Sequence, residues 1–283
     1  MSHVKIGFAS IPLYDILPEK RQENQPVEAQ GFYAEKESCR AFLFVSDFMD
    51  FNLKTVRSLE DAIRPVLPDG TLIHIVTTHN HGGAVCNSLN MPLYGKLAAQ
   101  CAVKARENSC PAKVRQIRTD MDPDLSMIRR LYIPEVKGSA TCFFGIGSET
   151  RRNGGPFAAH FVEGLKQGYF HYTGGDATGQ PYRPFPEGDR ELFAMEFAAE
   201  SDGHVLGTIL RYAAHAVTCD SAKSNSYSSD FPWFVRQRLK KHFGGNALFL
   251  NGPCAEIAPA ITGKSFSEAE RLGHALADRA AEL

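Results

Sequence analysis

Three short stretches, 41–46, 71–78 and 246–251, carry apolar residues side by side and not in alternation with polar ones. A strand with one face in water alternates apolar and polar side chains, so such runs suit strands covered on both faces. They call for a sheet with layers on either side. The intervening segments have a different period. Leu53, Val56, Leu59 and Ile63 fall on one face of a helix over 53–64, which Pro65 and Pro68 close. Residues 93–106 return to helix, 231–243 form another with Pro232 in its first turn, and 268–282 a terminal one with Ser267 and Glu270 at capping-box spacing. Residues 4–9, 113–118 and 139–145 read as strands, whereas the polar stretch 17–31, with Pro18 and Pro26, reads as loop. Two apolar runs, 191–199 and 204–217, flank Asp202-Gly203, a strong hairpin signal. The expected fold is therefore α/β: a mixed, mainly parallel sheet flanked by helices, with a hairpin in the second half. One domain is expected over 1–283, with a flap or mobile loop at 169–190, where four glycines and three prolines crowd together.

Composition narrows the function. With 43% hydrophobic and 22% charged residues the chain is ordinary globular protein, which excludes disorder, collagen and coiled coil as its main architecture. Its formal net charge of −1 gives no global electrostatic case for nucleic acid or an anionic membrane surface. The seven cysteines are odd in number and no pair has C-x-x-C spacing, so neither a disulfide framework nor a zinc knuckle follows. They read as buried free thiols of a reducing compartment. No secretory leader or membrane-length apolar run is visible, and a soluble, cytoplasmic protein is expected. No G-x-S-x-G elbow, P-loop or dinucleotide fingerprint occurs.

The residues able to carry chemistry sit after the apolar runs, where α/β sheets present their ligands. His79-Asn80-His81-Gly82-Gly83 follows the second run. In extended backbone, side chains at i and i+2 face the same way, so His79 and His81 can converge on one metal ion or one reacting group. Two surface histidines in a turn are the ordinary alternative. Gly82 and Gly83 would let the backbone approach a ligand. His215 ends the apolar stretch 204–217, where a core histidine bonded to backbone is the usual reading; a zinc site, though, needs three or four ligands, often from separate strand ends. Glu256, just after the run 246–251, could be a metal ligand, a partner for a histidine, or a general base. Arg151 and Arg152 stand beside Gly154 and Gly155 and suit a clamp on a carboxylate or phosphate, or an oxyanion. A solvated turn is the plain alternative for both. Asp230 reads first as a helix N-cap, and Asp47 as a cap for the segment that follows it.

Taken in order, these stretches resemble the neutral/alkaline (non-lysosomal) ceramidase family, in particular its N-terminal catalytic domain. Thr78-His79-Asn80-His81-Gly82-Gly83 is similar to that family's T-H-T-H-S-G motif, the Arg151-Arg152 region to its N-R segment, and Tyr212 to Val217 to its strand ending in histidine. Ser229-Asp230 resembles its S-D step before a helix, and Asn251 to Pro259 its N-x-x-G-D-x-S-P motif. The resemblance implies a zinc amidase scaffold. By motif, His79 and His215 would be zinc ligands, His81 a neighbouring active-site histidine, and Arg151 or Arg152 a substrate contact. Ala258 stands where the family has serine, and the family's later Glu and Tyr ligands have no identifiable counterpart before Leu283. Glu256 or Asp230 would then complete the shell.

The function expected is metal-dependent hydrolysis of an amide-type C–N, or ester C–O, bond in a small soluble substrate. Zinc is the expected cofactor, with His79, His81 and His215 as metal residues and His81, Glu256, Arg151, Arg152 and Asp230 as catalytic ones. The alternative is a catalytically silent small-ligand-binding protein on the same scaffold. The expected partner is a small molecule, with no nucleic acid, no membrane insertion, and room for a homo-oligomer; a structural subunit whose missing ligands come from a partner chain is the third option.

Overall fold

A computed structural model describes residues 3–17, 22–23, 25–83, 89–122, 125–133, 138–142, 170–172, 188–219, 226–261 and 264–283. Its main sheet has eight strands: β1 (Val4–Pro12), β3 (Glu28–Lys36), β4 (Cys39–Ser46), β5 (Leu72–Thr77), β6 (Cys110–Asp120), β11 (Glu191–Ala199), β12 (Val205–Tyr212) and β14 (Asn246–Asn251). Shorter strands β2 (Gln22–Glu23), β7 (Ser126–Ile128), β8 (Arg130–Ile133), β9 (Gly138–Cys142), β10 (Phe170–Tyr172), β13 (Ser226–Tyr227) and β15 (Ile257–Pro259) form three small sheets. Four described helices are α1 (Leu53–Ile63), α2 (Met91–Glu107), α3 (Asp230–Phe243) and α4 (Phe266–Ala281). Most of the flap expected at 169–190, namely 169 and 173–187, lies outside the described residues, as do Arg151 and Arg152.

The sheet is mixed, as expected, but it is not mainly parallel. In the order β14-β12-β11-β6-β1-β3-β4-β5, five neighbouring pairs are antiparallel and two are parallel. The parallel pairs, β4 with β5 and β12 with β14, lie at the two ends, and each is joined through a helix, α1 or α3. Such pairs need a crossover, whereas β3 joins β4 through a tight turn. Strand β3 overturns the last part, 28–31, of the loop expected at 17–31, because Glu28 to Lys36 pairs with β1 and β4. Its central Gly31 explains the fit: a Cβ there would lie 2.8 Å from Cys101 Sγ of α2. The hairpin β11–β12 is present, and Gly203 takes φ 77°, the left-handed conformation glycine adopts without penalty.

Alternating side chains make two faces. Ile6, Phe8, Val45, Phe197, Ile209 and Leu248, drawn from strands in both halves of the sheet, pack on one another. The sheet therefore folds over into two leaves with an apolar interlayer. On the outer faces, Phe42, Phe44 and Tyr33 meet Leu59 of α1 and Ala98 of α2, while Leu210, Ala247 and Phe249 meet Val235 of α3 and Leu272 of α4. The stretches 41–46 and 246–251 are accordingly covered on both sides. Strand β5 is not: it is an edge strand, with Leu72 64% exposed. Among the cysteines whose side chains are described, all free, Cys101 and Cys219 are buried, Cys110 and Cys254 half-buried, and Cys39 exposed. No described helix is long and apolar enough to cross a membrane.

Candidate metal centre

Folding over brings the ends of β5 and β12 together. Asn80, just past β5, forms a parallel bridge with Ala216, past β12, and His81 N donates to the Ala216 carbonyl at 3.1 Å. The turn 77–80 also lies along the segment that leaves β4. Thr78 N donates to Ser46 O (2.9 Å), Asn80 N to Phe48 O (3.0 Å), and Thr77 Oγ1 to Met49 O (3.1 Å). Within this turn His79 has φ 54°, a left-handed backbone that a residue with a Cβ seldom adopts. His79 and His81 thus come together through a turn and not through the i, i+2 alternation of an extended strand.

His79, His81 and His215 each offer a ring nitrogen, and these nitrogens lie within 4.8 Å of one another. The closest pair is His79 Nε2 and His215 Nε2, at 3.0 Å. Backbone carbonyls settle the tautomers of both rings. His79 Nδ1 faces Met49 O at 2.9 Å, and His215 Nδ1 faces Cys254 O at 2.5 Å and Ile257 O at 3.3 Å. A carbonyl can only accept, so each Nδ1 carries the proton and each Nε2 presents a lone pair. Two lone pairs so close repel each other unless a cation stands between them. Two nitrogens of a tetrahedral zinc site, each bound at about 2.0–2.1 Å, lie roughly 3.3 Å apart, close to the observed separation. The donor set fits zinc, and the carbonyl bonds to Nδ1 are what orient imidazole ligands at such sites.

Electrostatics keep two of the donors, His81 and His215, neutral. His81 is exposed at its rim, yet partial desolvation of its ring by the surrounding protein lowers its pKa to about 4, and the neighbouring His79, Lys264 and Arg129 push the same way. Burial likewise lowers His215 to about 4, with Arg129 and then His79 adding to it. Both rings are neutral at pH 7, with their lone pairs available to a metal.

Around the trio lies a polar scaffold. Asp47 and Arg236 of α3 are both fully buried and pair through Nη1–Oδ1 (2.9 Å) and Nη2–Oδ2 (2.6 Å). Asp47 also accepts from Ser229 Oγ at 2.8 Å and from Thr78 Oγ1 at 3.3 Å, and its carbonyl accepts from Asn80 Nδ2 at 3.1 Å. Asp47 is thus not a cap for the next segment but the buried anchor of the His79 turn. Gly82 and Gly83 serve protein contacts: a Cβ on either would stand 2.6 Å from a backbone oxygen, of Ser228 and Asp47 respectively.

Of the remaining candidates, Asp230 and Glu256 are described, and neither is among the clustered donors. Asp230, buried and at φ 56°, spends its carboxylate on Thr218 Oγ1, Cys219 N (2.8 Å) and Phe231 N (2.7 Å), bracing the stretch after His215. Ser229 is the N-cap position of α3, and Asp230 is its first residue. Burial raises the pKa of Asp230. Glu256 is exposed on a turn, and its carbonyl accepts from Arg129 N at 2.7 Å. Its carboxylate is not among the clustered donors of the described residues. From that loop it is the Cys254 and Ile257 carbonyls that touch His215. Ala258 is fully buried, paired with Met127.

Sequence patterns did not single out Arg236, Asn80, Asn251 or Arg129. A signal for Arg236 existed, since it sits with Val235 and Leu239 on the buried face of α3. A guanidinium on an apolar helix face implies a buried acid opposite.

With fold and site in view, comparison with known proteins is informative. The chain has a ceramidase-like fold. It aligns over 100% of its length with 45% of neutral ceramidase from Pseudomonas aeruginosa, at TM-score 0.66 and 11% identity. It aligns likewise with 44% of a ceramidase complexed with C2, at TM-score 0.65 and 14% identity. It therefore spans less than half of either chain, and at such identities the likeness is one of fold. No family model and no curated protein matches it.

Proposed function

We propose that this protein is a metal-dependent hydrolase that cleaves an amide-type C–N, or ester C–O, bond of a small soluble substrate. The observation that supports this best is the facing pair of Nε2 lone pairs on His79 and His215, with His81 beside them. These three residues would hold the ion. Zinc bound there would supply Lewis acidity and bring the pKa of a water molecule to about 7, making hydroxide available at neutral pH. Met49, Cys254 and Ile257 keep the ligand rings turned the right way by accepting from Nδ1. Glu256, on the loop that touches His215, or His81 would accept a proton from water, and Arg151 or Arg152 would stabilise the developing oxyanion. The ceramidase-like fold supports amide chemistry.

The test is elemental analysis of purified protein, with a panel of amides and esters assayed before and after chelation. Near-stoichiometric metal and chelator-sensitive hydrolysis are expected, and His79→Ala should lose both. Full metal occupancy in that variant would refute the assignment. The buried Ala258, with no hydroxyl, favours a second reading as a silent ligand-binding protein. That reading requires no turnover of any panel member after zinc, manganese or nickel is added.

A further inference from the structure

The two ligand-bearing turns come from strands far apart in the order of the sheet, and something must fix their spacing. Downstream of the ligands this is done by backbone, through the Asn80–Ala216 bridge and the His81 N to Ala216 O bond of 3.1 Å. Upstream it is done by one side chain. Asn251, the last residue of β14, donates from Nδ2 to Thr78 O (3.0 Å) and to Ala214 O (2.9 Å). Its Oδ1 accepts from Ala214 N at 3.2 Å. Thr78 and Ala214 are the residues immediately before His79 and His215.

We propose that Asn251 is a positioning residue whose single amide latches the His79 turn to the His215 turn and so sets the Nε2–Nε2 separation on which metal binding depends. The inference rests on the metal-site reading above. The chemistry of the side chain makes the assignment specific. A primary amide has two N–H donors, and here each reaches the carbonyl just before a ligand while the oxygen accepts from Ala214 N. Aspartate has the same shape but no donor, so its oxygens would face two carbonyls. Glutamine adds a methylene, serine is too short to span both turns, and alanine leaves both carbonyls without this partner. With the latch gone, the turns would keep their downstream backbone pairing but lose this upstream tie, and the two rings would be free to separate on one side. Groups that orient metal ligands without touching the metal are typically worth roughly 10- to 100-fold in affinity.

The experiment is a titration of the metal-free full-length chain with zinc against a competing chelator, repeated with cobalt for its d–d absorption spectrum. The wild type, Asn251→Asp and Asn251→Ala are compared with Leu272→Ala, a cavity variant in fully buried α4 packing outside the site. Asn251→Ala introduces no charge and keeps the test decisive if Asn251→Asp fails to fold. Either variant should bind zinc roughly 10- to 100-fold more weakly and change the cobalt spectrum, while Leu272→Ala lowers stability with the wild-type affinity and spectrum. Wild-type affinity in the Asn251 variants overturns the latch, as does equal weakening by Leu272→Ala. A wild-type chain that takes up neither zinc nor cobalt overturns the metal-site reading itself, and the latch with it.

Discussion

Arg236 offers a decisive perturbation, because it and Asp47 are both inaccessible to solvent and the pair ties α3 to the His79 turn. Replacing Arg236 by Met keeps an unbranched apolar stem of similar reach and removes the cation. Asp47 is then a buried carboxylate without a counter-charge. Breaking one partner of a buried ion pair typically costs about 3–5 kcal/mol. Ser229 Oγ at 2.8 Å, Glu28 N at 3.1 Å and Thr78 Oγ1 at 3.3 Å still donate to Asp47, which offsets part of the penalty. The expected loss is therefore near the lower end, about 3 kcal/mol, or a roughly 100-fold fall in the folding equilibrium. The double variant Asp47→Asn with Arg236→Met removes both charges and should recover most of that loss, since neutral replacements of buried pairs are often tolerated. Urea unfolding of the metal-free chains at pH 7 measures all three. A loss below about 1 kcal/mol in Arg236→Met, or a double variant no more stable than the single one, would refute the reasoning. Zinc affinity of Arg236→Met should fall as well, because Asp47 holds Thr78 and Asn80 on either side of His79.

Two further outcomes follow from packing and protonation. Gly7→Ala puts a Cβ 1.9 Å from the Ala105 carbonyl of α2 and should destabilise by about 1–3 kcal/mol or more, read as a lower unfolding midpoint; an unchanged midpoint would show that β1 and α2 can part freely. In the metal-free chain, His215 protonates near pH 4 when folded and near its ordinary 6.5 when unfolded, so the unfolded state binds the extra proton between those values. Stability should thus be full above pH 6.5 and fall as the pH drops toward 4, by on the order of 3 kcal/mol for His215 alone. His215→Gln should flatten that part of the pH–stability curve, and an unaltered curve would count against a buried neutral imidazole.

What the sequence made legible, and what it hid, divides along a physical line. Period and turn chemistry are local, so α1, β14 and the β11–β12 hairpin can be read from spacing and from Asp202-Gly203. The antiparallel character of the sheet cannot, because it depends on β3, where charged ends and a central glycine mask a strand whose burial comes from α2 lying across Gly31. Strand β5 misleads in the opposite way: it is as apolar as a covered strand but stands at an edge with Leu72 exposed. The metal trio shows the same division at the site. An imidazole announces its chemistry by residue type, so His79, His81 and His215 could be picked out one at a time. The groups that turn and space them are mostly backbone carbonyls, of Met49, Cys254, Ile257, Thr78 and Ala214, and a carbonyl is present at every residue. Only the folding of the sheet onto itself decides which ones matter. That is why the left-handed His79 could not be foreseen from an i, i+2 spacing: the turn is held by contacts to residues 46–49, at the end of β4 and just beyond it, which the sequence separates from it by a whole helix.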